Sequence, residues 1–146
     1  MLQQYKYHQQ LHLSASFAEL MLQRHALQNI DLIIPMPLHP SRLQMRGFNQ
    51  ALEIARIIAK RLNIDVNSLA AQRIKLAPPQ ASLPLKARVQ NMKGAFICHE
   101  NLSGLRIALM DDVMTTGASL NALAKAVKAK GAAHVECWLI ARTLAK

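Results

Sequence analysis

The hydrophobic and polar positions of the chain alternate between two periods. From Ser14 to Gln28, Phe17, Leu20, Met21 and Leu27 recur at roughly helical spacing, and Ser16-Phe17-Ala18-Glu19 has the form of a capping box. An amphipathic helix starting near that box is predicted. Asp31-Leu32-Ile33-Ile34-Pro35 is a short continuous apolar run closed by proline, which predicts a buried strand followed by a loop reaching about Gly47. Asn49 to Leu62 is predicted as a helix, with Ala51, Ala55, Ile58, Ala59 and Leu62 on one face and Lys60 and Arg61 in its last turn.

Between Asn63 and Arg88 the pattern breaks up around Pro78, Pro79 and Pro84, and a mobile loop is expected. Gly94 to Cys98 and Arg106 to Met110 read as short strands, the second ending at two aspartates. Ser119 to Lys130 reads as a helix with Leu120, Leu123, Ala124 and Val127 on one face, stopped by Gly131. His134 to Ala141 is a last apolar strand. Strands alternating with helices of this length predict an α/β fold with a mainly parallel β-sheet flanked by helices. No internal repeat interrupts the series, and residues 1–146 are expected to form a single domain.

Composition narrows the function. The 146 residues are 51% hydrophobic, enough for a packed core, and carry 18 Lys and Arg against 8 Asp and Glu, a formal net charge of +10. An anionic partner follows, either nucleic acid or a phosphorylated small molecule. Aromatic residues make up only 4%, which weakens the case for a base-stacking platform. No apolar run approaches the roughly 18 residues that span a bilayer and no signal-peptide pattern opens the chain, so a soluble cytoplasmic protein without membrane insertion is expected. Cys98 and Cys137 are too few and too far apart for a disulfide framework or a zinc ribbon. His8 and His12 have helical i, i+4 spacing, but with no third ligand beside them a polar helix face is the better reading.

The chemistry concentrates in Leu109-Met110-Asp111-Asp112-Val113-Met114-Thr115-Thr116-Gly117-Ala118-Ser119, which joins a buried strand to a helix. Ligands of parallel sheets bind beyond the carboxyl ends of the strands. A glycine with hydroxyl residues there lets backbone N–H groups and the helix N-terminus close around a phosphate, so Val113 to Ser119 form a candidate phosphate cradle. Asp111 and Asp112 would repel a phosphate, but suit the hydroxyls of a ribose. An ordinary strand–turn–helix junction, with one aspartate capping the helix, is the structural alternative. A Walker-type nucleotidase is disfavoured because no G-x-x-x-x-G-K-[ST] occurs.

This stretch resembles the fingerprint of the type I phosphoribosyltransferases. A second stretch, Ile34-Pro35-Met36-Pro37-Leu38-His39-Pro40-Ser41-Arg42-Leu43-Gln44-Met45-Arg46-Gly47-Phe48-Asn49-Gln50, together with Tyr5-Lys6-Tyr7, Pro79-Gln80, Arg88, Asn91 and Gly94-Ala95-Phe96, resembles the ComF/GntX family of competence-associated phosphoribosyltransferase-like proteins. The resemblance implies the type I phosphoribosyltransferase fold and binding of phosphoribosyl pyrophosphate (PRPP), with magnesium carried by that ligand rather than by a direct protein site. It implies catalytic roles for Asp111 and Asp112. On the pyrophosphate side it implies Arg42 and Arg46, with Arg88 on the loop that covers the site; a solvated basic loop is the alternative for these arginines. Many members of this family begin with a cysteine-rich zinc ribbon, and this chain begins after the place where it would end.

Two functions compete. One is a phosphoribosyltransferase-type enzyme acting in natural transformation, in which an external nucleophile displaces pyrophosphate. The other is a non-enzymatic competence accessory that binds single-stranded DNA or proteins of the uptake machinery. The +10 charge exceeds what one sugar phosphate explains, and so favours a polymeric anion beside the small ligand.

Overall fold

A computed structural model describes residues 2–24, 29–46, 48–75, 84, 86–87, 93–114 and 117–142; for 2–11, 24, 42, 45–46, 112–114 and 140–142 it describes the backbone alone. Four strands, β1 (Leu32–Pro35), β2 (Asp65–Val66), β5 (Arg106–Met114) and β6 (His134–Arg142), form a parallel sheet in the order β2-β1-β5-β6. Two others, β3 (Ala71–Arg73) and β4 (Phe96–Cys98), pair as an antiparallel ribbon. The helices are α1 (Leu2–Arg24), α2 (Pro40–Arg46), α3 (Gln50–Leu62) and α4 (Ala118–Ala129). The α/β, mainly parallel architecture predicted from the periodicities is the one observed. Among the described residues no helix is long and apolar enough to cross a membrane.

β1 is buried along its whole length because it is an interior strand of a parallel sheet with helix α3 packed on it, which is why its sequence is a continuous apolar run rather than an alternating one. Its start is clasped to β5: Asp31 N–H donates to the Arg106 carbonyl at 2.8 Å, and Arg106 N–H donates to the Asp31 carboxylate at 2.9 Å. Ile33, Ile34, Ile107 and Leu109 sit at the centre of the core with Ile54 and Ile58 of α3 and Leu123 and Val127 of α4. α3 packs its Ala51-Ile54-Ala55-Ile58-Ala59 face on β1 and β5 and also meets α1.

Four expectations need correction. α1 begins at Leu2, not at the Ser16 box; Ser16 lies inside the helix, where its hydroxyl donates to the His12 carbonyl one turn back at 3.2 Å. The buried stripe of α1 is Ser14, Ala18 and Met21 with Phe17 beside it, and Leu20 is exposed; Leu27 lies outside the described residues. The loop after β1 contains α2, because a proline at the first helical position starts a helix instead of barring one. His39 completes that start: its ring nitrogen accepts from Ser41 N–H at 3.2 Å, and its carbonyl accepts from Leu43 N–H at 3.0 Å.

The third correction concerns residues 63–88, expected as a mobile loop. β2 and β3 lie within it, and Pro78 and Pro79 fall outside the described residues. The fourth is the strand predicted to stop at Met110. β5 continues to Met114 because β6 is equally long and pairs with it throughout, Asp111 opposite Leu139 and Met114 opposite Arg142. The glycine predicted beyond α4 is as expected: Gly131 has φ +94°, and a Cβ there would stand 2.8 Å from the Ser103 hydroxyl and 3.1 Å from its Cα.

Candidate functional site

The sheet order places a topological switch between β1 and β5. From β1 the chain moves outward to β2, then crosses back to β5 on β1's other side. Crevices at such points lie beyond the carboxyl ends of the two strands. The pairing of β1 with β5 ends at Pro35 opposite Met110, with one further bond from Met36 N–H to the Met110 carbonyl at 2.7 Å. Residues 111–114 of β5 therefore run past the end of β1 while still alongside β6.

Asp111 is the first residue of that overhang and is half-buried. Its negative charge reaches Cys137, which lies on β6 two residues before Leu139, the partner of Asp111. The Cys137 thiol is pushed above its ordinary value, first by partial burial and then by the carboxylates of Asp111 and Glu136, with Lys128 opposing them. Cys137 as a residue is nonetheless exposed. For Asp112, Val113 and Met114 only the strand backbone is described, and Thr115 and Thr116 fall outside the described residues.

The far side of the turn is Gly117, the N-cap of α4, at φ 79° and ψ 2°. An N-cap residue ordinarily has extended backbone and contributes a side-chain acceptor. Gly117 does neither: its left-handed conformation suits glycine, and it has no side chain with which to cap the helix. Ala118 is buried and Ser119 half-buried in the first turn, so α4 is anchored in the core at the end that faces the overhang. The cradle residues thus divide between the end of β5 and the start of α4.

The loop after β1 leaves the sheet beside Met110 of β5. Asn49 fixes it: the side-chain oxygen caps α3 by accepting from Leu52 N–H at 3.3 Å, and the side-chain nitrogen donates to the Met36 carbonyl at 3.0 Å. One side chain therefore ties the start of α3 to the first residue after β1. Arg42 and Arg46 both lie on α2, and their side chains are among those not described. Arg88 falls outside the described residues. Beneath the loop is a cavity of about 380 Å³ whose lining includes Pro37, Leu38, Leu43, Phe48, Asn49 and Leu52. The tie from Asn49 to Met36 spans 13 positions and has no local signal in the sequence.

No protein-family model matches the chain. It is 31% identical over 152 aligned residues to competence protein F of Haemophilus influenzae, covering 97% of this chain and 66% of that protein. It is 32% identical to DNA utilization protein YhgH of Salmonella typhimurium, covering 97% and 65%, and 33% identical to the Escherichia coli K12 protein of the same name, covering 81% and 52%. The chain thus spans at most about two thirds of the length of these relatives. Among solved structures, TT1426 from Thermus thermophilus aligns with a TM-score of 0.51 and 14% identity over 94% of this chain and 86% of that one. A purine phosphoribosyltransferase from Pyrococcus horikoshii aligns with a TM-score of 0.48 and 20% identity over 91% and 73%.

Proposed function

Because the chain belongs to the same family as competence protein F and the YhgH DNA utilization proteins, we propose that it binds PRPP with magnesium and acts in DNA uptake during natural transformation. The observation that carries the PRPP reading is the overhang of β5. It carries Asp111 and Asp112 past the end of β1, on the strand that leads through Gly117 into α4. Asp111 and Asp112 accept hydrogen bonds from the ribose hydroxyls, and residues 113–119 hold the 5′-phosphate at the positive end of α4. The loop from Met36 to Arg46, fixed through Asn49, brings Arg42 and Arg46 to the diphosphate.

Magnesium would be carried on the diphosphate, since this ion binds through substrate phosphates and water more readily than in an all-protein cage, and there it would neutralise charge on the leaving group. In the transfer reaction an acceptor lone pair forms a bond to the anomeric carbon while the carbon–oxygen bond to pyrophosphate breaks and its electrons leave with that group. Asp111 and Asp112, lying on the ribose side, stabilise the positive charge that develops on the ring.

Calorimetric titration of the protein with PRPP and magnesium tests this. Saturable binding is expected, lost in the Asp111→Asn, Asp112→Asn double variant; no binding by the intact chain, or equal binding by the variant, refutes the reading. The +10 charge supports a second activity, binding of single-stranded DNA without turnover. Its mark is an affinity for oligothymidylate that falls steeply with salt. Weak binding with no such slope refutes it.

A further inference from the structure

A second cavity, of about 520 Å³, opens between α4 and the β3–β4 ribbon. Its wall on the helix side is the outer face of α4, where Ala118, Ala122 and Ala126 recur every fourth residue, with Lys125 and Lys128 beside them. Its other wall is Lys93, Gly94 and Phe96 at the start of β4. The result is a shallow apolar floor between lysine rims. Lys93, Lys125 and Lys128 are all exposed, and none is in an ion pair: the salt bridges among the described residues are Arg56 with Glu53 and Arg61 with Glu19.

Among the described residues no Asp or Glu lines the groove. Glu136, whose charge reaches Cys137 as that of Lys128 does, is on β6 and is not part of the lining. More positive charge stands behind the β4 rim. Lys75 donates its ammonium to the Lys93 carbonyl at 2.9 Å, and the Arg73 guanidinium lies 5.7 Å from the centre of the Phe96 ring.

We propose that this groove is where a single-stranded nucleic acid docks, its phosphates on Lys93, Lys125 and Lys128 and its sugars and bases over the alanine floor. The proposal rests on the DNA-binding reading given above and deepens it by naming the surface. Charge complementarity selects the occupant: three unpaired lysines with no acidic neighbour in the lining call for a polyanion. The shape selects a strand rather than a single phosphate. From Ala118 to Lys128 the helix face runs roughly 15 Å at 1.5 Å per residue, which accommodates about four charges at the ~3.4 Å per-strand spacing of DNA. An acidic peptide would satisfy the lysines but leave the apolar floor without flat groups to cover it.

The test is the salt dependence of oligothymidylate binding by fluorescence anisotropy. Each phosphate neutralised in a single strand contributes about −0.7 to the slope of log affinity against log salt. Lys93→Ala, Lys125→Ala and Lys128→Ala should each reduce the slope by about 0.7. The triple variant should reduce it by about 2 and lower affinity roughly a hundredfold near ~0.1 M salt. A control variant, Arg56→Ala with Lys60→Ala and Arg61→Ala on α3, loses the same charge from exposed positions outside the groove and should keep the slope.

Equal loss in the control, or an unchanged slope in the triple variant, overturns this location while leaving DNA binding intact. No salt-dependent binding by the unaltered protein overturns the underlying reading instead. Displacement of the oligonucleotide by polyglutamate at matched charge would assign the groove to an acidic protein segment and overturn the nucleic-acid assignment. The single variants change one exposed side chain each, so the slopes remain readable if the triple variant unfolds.

Discussion

Replacing Asn49 separates two jobs that one side chain performs. Its oxygen caps α3 through Leu52 N–H, and its nitrogen holds the Met36 carbonyl at the point where the chain leaves β1. In Asn49→Ala both bonds go. Loss of an N-cap costs about 1 kcal/mol, and a part-buried carbonyl deprived of its donor costs about another 1 kcal/mol. For a domain of this size each kcal/mol moves the melting temperature by about 2–4 °C, so Asn49→Ala should lower it by about 4–8 °C. Asn49→Asp is the informative companion. A carboxylate still caps α3, and suits the positive helix end, but it cannot donate to Met36 and sets two acceptors face to face.

Asn49→Asp should therefore recover about half of the lost stability while leaving the β1 loop unfixed. Thermal unfolding followed by far-ultraviolet circular dichroism reads the first effect, and PRPP titration reads the second. If the tie to Met36 sets the wall of the site, both variants lose PRPP affinity to a similar degree although their melting temperatures differ. A melting temperature for Asn49→Ala within about 1 °C of the unaltered protein would refute the energetic argument. PRPP affinity that tracks stability, intact in Asn49→Asp, would refute the positional one.

Two further outcomes follow from the geometry. Gly131→Ala places a Cβ 2.8 Å from the Ser103 hydroxyl and 3.1 Å from its Cα at φ +94°. It should destabilise by more than the ~1–2 kcal/mol of left-handed backbone alone, with little relief from Ser103→Ala because the clash with the Ser103 backbone stays; a melting temperature unchanged from the parent would contradict this. Cys137 is exposed and Cys98 buried, so alkylation at rising pH reports Cys137. Its midpoint should lie above that of a free thiol and move down in Asp111→Asn, because the Asp111 charge opposes thiolate formation. A folded value above the unfolded one also means that stability falls as pH climbs through the ordinary thiol range towards the raised value. An unmoved alkylation midpoint in Asp111→Asn would show that the carboxylate does not face β6.

The parts of this molecule that are legible in its sequence are those whose causes are local. β1 is a buried apolar run, α3 has Asn49 at its head and a left-handed Asn63 at its foot, and α4 stops before Gly131; pattern alone places each within about two residues. The Asp111 to Ser119 stretch is recognisable because a strand, two carboxylates and a glycine at a helix start lie consecutively. The errors have equally definite causes. The Ser16 box satisfies a local rule but lies inside a helix that begins at Leu2. The segment after β1 reads as a loop although Pro40, at a first helical position, starts a helix there.

What the sequence could not supply is adjacency between segments. Charge arithmetic returns +10 whether the lysines are scattered or gathered, and Lys93 is 32 positions from Lys125. They meet across one groove only because the β3–β4 ribbon packs against α4. The alanines of α4 mislead for a related reason. At Ala118, Ala122 and Ala126 they look like the ordinary filler of a good helix former, since alanine contributes little to a hydrophobic stripe. Their small volume has meaning only once a second element stands opposite: larger residues there would fill the groove, and Lys125 and Lys128 would then border a closed seam instead of an open floor. Ala118 belongs both to the first turn of α4, which follows Gly117, and to the groove along the flank of that helix.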